Sequence, residues 1–165
     1  MMDRISSRLA AALVVVVSVF ALGAAFAFQY IGGLAPCILC IWQRYPYGIA
    51  IVFGILALLL ADKPGVPRLL IGLAGVAFLA DAAIAAYHVG VEQKWWAGTA
   101  ECGGTLGLGL TAEELAEQLL ATPVVRCDEV AWSLFAISMA GYNFLIAASA
   151  GLAALFWAAR RRSHA

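Results

Sequence analysis

Residues 9–30 read LAAALVVVVSVFALGAAFAFQY, 22 positions without a charged side chain. A helix crosses a bilayer with roughly 20 apolar residues, so this stretch reads as a first span. Working outward, residues 41–61 form a second, interrupted only by Arg44 near its start. Residues 69–89 form a third that holds Asp81 and His88, and residues 131–159 a fourth. The bulk numbers agree: 64% of the 165 residues are hydrophobic and 12% charged, against about 45–50% and about 25% in soluble domains. No basic stripe or nucleic-acid motif appears.

The second and third spans are joined by Asp62-Lys63-Pro64-Gly65-Val66-Pro67-Arg68, a turn-rich link that forces an antiparallel pair. The expected fold is an all-α membrane protein. It is one domain, an antiparallel four-helix bundle with a short first outer loop (residues 31–40) and a long second one (residues 90–130). One side carries Arg4, Arg8, Lys63, Arg68, Arg160, Arg161 and Arg162; the other only Arg44, Lys94 and Arg126. That asymmetry places both termini in the cytoplasm. Tyr30, Trp42, Tyr45, Tyr47, Tyr87, Trp95, Trp96 and Trp132 read as an aromatic belt at the far surface, with Trp157 near the other. Ala25-Phe26-Ala27 also resembles a signal-peptide cleavage site, but the apolar run is longer than a usual signal core and favours a retained span.

With this orientation all four cysteines face the outer, oxidising side. Cys37 and Cys40 lie in Pro36-Cys37-Ile38-Leu39-Cys40 after the first span; Cys102 and Cys127 lie in the long loop. Inert staples are one reading. For Cys102 and Cys127 it stands level with a redox role. For Cys37 and Cys40 it is weaker, because a bridge across two residues closes almost no loop and removes little chain entropy. That spacing suits an exchanging dithiol whose thiolate is stabilised by a cation or a helix N-terminus. Arg44 and the start of the second span offer both. A zinc site of four cysteines usually needs two close pairs; the second pair here is 25 positions apart, so no metal is expected.

Arg44 reads either as an interfacial arginine reaching headgroups or as a cation held against a thiolate or electron acceptor. His88 closes the third span. Asp81 lies seven residues earlier, on the same face and about 10 Å away along the axis. A carboxylate inside a span is costly and faces the bundle interior; a helix-to-helix hydrogen bond is the favoured reading. In the long loop, Thr111-Ala112-Glu113-Glu114 is a capping-box pattern that starts a short helix, and residues 122–127 look extended.

Pro36-Cys-x-x-Cys40, Gln43-Arg44, the second cysteine pair, and Cys127-Asp128-Glu129 running into Trp132 and a last span resemble the DsbB family of bacterial disulfide bond formation proteins. The resemblance covers essentially the whole chain. It implies a thiol:quinone oxidoreductase of the bacterial inner membrane with its cysteines periplasmic. Such a protein re-oxidises a periplasmic thioredoxin-like oxidase (DsbA-like) and passes the electrons to ubiquinone or menaquinone. Carried over, Cys102 forms the mixed disulfide with the partner and Cys127 exchanges with Cys37. Cys40 is the thiolate that meets the quinone, with Arg44 beside it and His88 in support. The direction is physically sensible: such a partner is a strong oxidant at about −120 mV, so only a still more oxidising acceptor recharges it. Two other readings stay open from residues alone: a structural or binding membrane protein with two inert disulfides, and a thiol redox protein with another acceptor or a dedicated partner.

Overall fold

The structure is a computed structural model and describes residues 2–99, 102 and 125–160, side chains from residue 5 onward. The expected helix at Thr111 to Glu114, and residues 122–124 of the extended stretch, lie outside the described residues. Among the described residues, five helices and one hairpin follow in order: α1 Met2–Tyr30, α2 Ile38–Trp42, α3 Arg44–Leu59, α4 Val66–Glu92, β1 Ser133–Leu134, β2 Ile137–Ser138 and α5 Met139–Ala159. Among the described residues, four helical stretches are long and apolar enough to cross a membrane: Ile5–Tyr30, Ile38–Leu59, Val66–Glu92 and Met139–Ala159.

The second stretch is broken at Gln43, between α2 and α3. Pro46 has no amide hydrogen to return to the Trp42 carbonyl, which weakens the ladder there. After α3 the chain turns through residues 60–65. Gly65 takes a left-handed φ of 78°, and Pro67 sits in the first turn of α4, where its missing donor costs nothing.

The bundle is up-and-down. At one end the Trp157 indole nitrogen donates to Ser6 Oγ (3.2 Å), and Arg68 donates to the carbonyls of Ala158 and Arg160. Arg8 lies 3.6 Å from Asp62 there. At the opposite end, the end of α4 meets α2, Cys102 and Cys127 in a second buried cluster. Between lies a core of small and medium residues, among them Ala11, Ala50, Ala57, Ile71, Ala74 and Phe78. Helices α4 and α5 cross where Gly75 faces Gly151; a Cβ on Gly151 would meet Leu79 at 2.8 Å and the Gly75 carbonyl at 3.0 Å. Small residues let membrane helices approach closely where the hydrophobic effect between them is absent.

Two differences from the sequence reading have local causes, and one reading is met. The last helix begins at Met139, not at residue 131, because the hairpin comes first. Its strands pair Ser133 with Ser138 and Leu134 with Ile137. The two-residue turn puts Phe135 and Ala136 at φ 50° and 62°, and Phe135 is 86% exposed. Tyr47 is no belt residue: it is 3% exposed, and its hydroxyl donates to Asn143 Oδ1 at 2.7 Å. Asp81, fully buried, accepts from Asn143 Nδ2 at 2.8 Å, the helix-to-helix bond favoured from sequence.

Candidate active site

Pro36 ends the loop and Cys37 caps α2. Its backbone is extended (φ −73°, ψ 169°), and its sulfur accepts the Cys40 amide hydrogen at 3.3 Å. Cys37 and Cys40 are free thiols with their sulfurs 3.0 Å apart. The last two turns of α4 bring His88 Nε2 to 3.6 Å from Cys37 Sγ, and Glu92 Oε1 to 3.9 Å from the same nitrogen. Glu92 is fixed in turn by the Ser138 hydroxyl, which also caps α5 by accepting Gly141 N–H at 3.1 Å.

These contacts hold the Cys37 thiol well below the ordinary cysteine range. The hydrogen bond from the Cys40 side chain contributes most; burial opposes it; His88 adds to it. The donors thus converge on Cys37, whereas sequence reasoning looks to Cys40 and Arg44 for the thiolate. Arg44 is held from α1 instead. Its Nη1 donates to Gln29 Oε1 at 2.7 Å, and its guanidinium lies 4.9 Å from the centre of the Phe26 ring.

Cys102 and Cys127 are joined as a disulfide. They are 2% and 0% exposed and share a buried cluster with Cys37, Leu39 and Val91, with Cys40 packed against it. The Cys127 amide donates to the Cys102 carbonyl at 2.8 Å. Gly98 makes this packing possible, since a Cβ there would stand 2.6 Å from that of Cys102. Just outside, Arg126 forms a two-pronged pair with Asp128 (2.9 and 2.7 Å) and reaches Glu129 at 3.2 Å. That pairing raises the Arg126 pKa and lowers that of Asp128.

Beside the thiols opens a cavity of about 410 Å³ between α1, α3 and α5. Its walls are mostly apolar, including Phe20, Leu22, Phe28 and Ile146. Cys37, Cys40, Gln43, Arg44 and His88 all reach it. Among the described residues, four buried side-chain polar atoms lack a hydrogen-bond partner: Gln43 Nε2, Arg44 Nε, His88 Nδ1 and Asp81 Oδ1. The first three belong to residues lining this cavity. A buried polar atom left unpaired costs about 1–3 kcal/mol, so three around one cavity point to a ligand that pairs them.

The structure therefore brings Cys37, Cys40, His88 and Arg44 to one cavity, and Cys102 and Cys127 to the adjoining cluster. Sequence reasoning did not single out Gln29, Glu92 or Ser138, and it took Gln43 only as part of a motif. Glu92 carried a signal, lying one helical turn after His88. Gln29 and Ser138 carried none, because their roles depend on which helices meet.

The family model for disulfide bond formation protein DsbB matches residues 7–158. The uncharacterized protein RP370 of Rickettsia prowazekii (strain Madrid E) is 26% identical over 136 residues, covering 81% of this chain and 77% of that protein. No solved structure matches the chain.

Proposed function

Since this chain belongs to the DsbB family, multi-pass membrane oxidoreductases of disulfide bond formation, we propose that it re-oxidises a periplasmic thioredoxin-like (DsbA-like) dithiol and hands the electrons to a membrane quinone. The observation that carries this reading is the apolar cavity that Cys37, Cys40, Gln43, Arg44 and His88 share, three of these residues each having a buried polar atom without a partner.

The outer station is Cys102–Cys127. A partner thiolate attacks Cys102, breaking the bond to Cys127 and releasing it as a thiolate. The partner's second thiol then resolves the mixed disulfide, so the partner leaves oxidised and the pair stays reduced. Cys127 next attacks Cys37 of an oxidised Cys37–Cys40 bridge. Cys102 closes on Cys127, and two electrons now rest on the inner pair.

At the inner station Cys37 is the readier thiolate. The sulfur of Cys40, 3.0 Å away, is the one whose electron pair leaves into the cavity as Cys37 closes the bridge. A bound quinone supplies a two-electron, two-proton sink. Arg44, Gln43 and His88 would hold it through its carbonyl oxygens, and Gln29 and Phe26 keep the guanidinium in place. In this reading the bundle sits in the bacterial inner membrane, with both termini cytoplasmic and the cysteine end periplasmic. The test is anaerobic turnover of the detergent-solubilised protein with a reduced thioredoxin-like partner. Partner oxidation should require quinone and match it one to one, and Cys40→Ser should abolish it. Turnover without quinone, or retained in Cys40→Ser, would overturn the reading.

A further inference from the structure

We propose that the reduced inner pair is also a soft-metal site, in which Cys37 Sγ, Cys40 Sγ and His88 Nε2 bind one thiophilic ion such as Zn²⁺ or Cd²⁺. The three ligand atoms lie within 4.8 Å of one another and come from two elements, the start of α2 and the end of α4. In a tetrahedral site with bonds of about 2.3 Å to sulfur and about 2.0–2.1 Å to nitrogen, ligand atoms stand roughly 3.5–3.8 Å apart. The 3.6 Å between Cys37 Sγ and His88 Nε2 already meets this. The sulfurs, at 3.0 Å, need to open by less than about 1 Å, a small adjustment of two side chains.

Charge favours a cation as well. The Cys37 thiol and the Glu92 carboxylate stand beside His88, and the two arginines of the cavity wall are engaged elsewhere, Arg44 by Gln29 and Arg126 by Asp128. Glu92 Oε1, 3.9 Å from the ligating nitrogen, is placed to complete the coordination or to hold a metal-bound water. Two thiolates and an imidazole select Zn²⁺, Cd²⁺ or Cu⁺ over hard ions. Sequence spacing argued against four cysteines around one zinc; this set instead takes two cysteines and a histidine 48 positions beyond Cys40.

Binding forms two metal–sulfur bonds and releases the thiol protons; no electrons move. A disulfide lacks these ligands, so the ion binds only the reduced pair, holds it reduced, and blocks sulfur exchange. The inference does not depend on the identity of the electron acceptor, and its test needs no turnover. A Cys102→Ser/Cys127→Ser variant is reduced, freed of reductant and titrated with Cd²⁺. The expected result is one ion per chain, seen as sulfur-to-cadmium charge-transfer absorbance, with Cys37 and Cys40 protected from alkylation. The same protein with the inner pair oxidised should show no band. His88→Ala should weaken binding at least about tenfold, and Glu92→Gln less. Thermal unfolding of each variant establishes that it is folded. No band from the reduced protein, or a band equally strong in folded His88→Ala, would overturn the proposal.

Discussion

Replacing His88 by Phe should make Cys37 a worse thiolate by an amount the geometry sets. His88 Nε2 stands 3.6 Å from Cys37 Sγ, beside the Cys40 amide at 3.3 Å. A hydrogen bond to a charged group contributes about 1.5–3 kcal/mol, and this long contact belongs at the lower end. One pKa unit corresponds to about 1.36 kcal/mol, so the Cys37 pKa should rise by about one unit. The lowered pKa stabilises the reduced pair. That stabilisation is fully present above the ordinary thiol range and is lost as pH falls through the depressed Cys37 value. Within that window the variant's inner pair should be less oxidising by about 30 mV, from about 1.4 kcal/mol in a two-electron couple. Below it the difference should vanish. Alkylation rate against pH, in the Cys102→Ser/Cys127→Ser background, reads the pKa; equilibration with glutathione reads the potential. His88→Gln, which keeps a donor, should recover part of both. An unchanged or lower Cys37 pKa in His88→Phe would refute the donor role.

Other expectations follow from packing and polar pairing. Asp81→Leu leaves Asn143 Nδ2 without its acceptor and should destabilise the detergent-solubilised protein by about 1–3 kcal/mol, read by thermal unfolding, whereas Asp81→Asn should cost less. Gly151→Leu drives a side chain into Leu79 and the Gly75 backbone and should destabilise by about 1–3 kcal/mol or more, seen in the same assay, with Gly23→Leu, which meets nothing within 4 Å, as the tolerated control. Ser138→Ala removes the α5 cap and the tether on Glu92 and should cost about 1 kcal/mol, while Ser138→Thr should retain most of it.

Much of the fold was legible because apolar runs of bilayer length admit few architectures. The turn at Pro64-Gly65 and the break in charge between the two ends are written in single residues. The start of α5 was not legible: residues 131–138 are as apolar as the helix they precede, and the hairpin depends on Phe135 and Ala136 accepting left-handed backbone without glycine or asparagine. At the site, Pro36-Cys37-x-x-Cys40 announced a dithiol, but the sequence reading left it in the loop before a span at residue 41; the helix starts at Ile38, with Cys37 as its cap. What spacing could not tell was which sulfur receives the donors. His88 lies 51 positions beyond Cys37, and only the antiparallel return of α4 brings it there. Arg44 read either as a headgroup-reaching arginine or as a cation beside a thiolate or acceptor, and its hydrogen-bond partner Gln29 sits on another helix. Tyr47 was misread because an aromatic at a membrane edge looks the same in sequence whether it faces lipid or an asparagine.

The central claim is that electrons leave the inner cysteine pair into the cavity bounded by Arg44, Gln43 and His88. The rate of quinone reduction against quinone concentration, in wild type and Arg44→Met with a saturating reduced partner, tests it most directly. Loss of a half-buried charged donor worth about 1.5–3 kcal/mol predicts a quinone KM raised about ten- to 100-fold, with the KM for the thiol partner unchanged. An unchanged quinone KM in Arg44→Met, or no quinone reduction by the wild-type protein, would contradict the account.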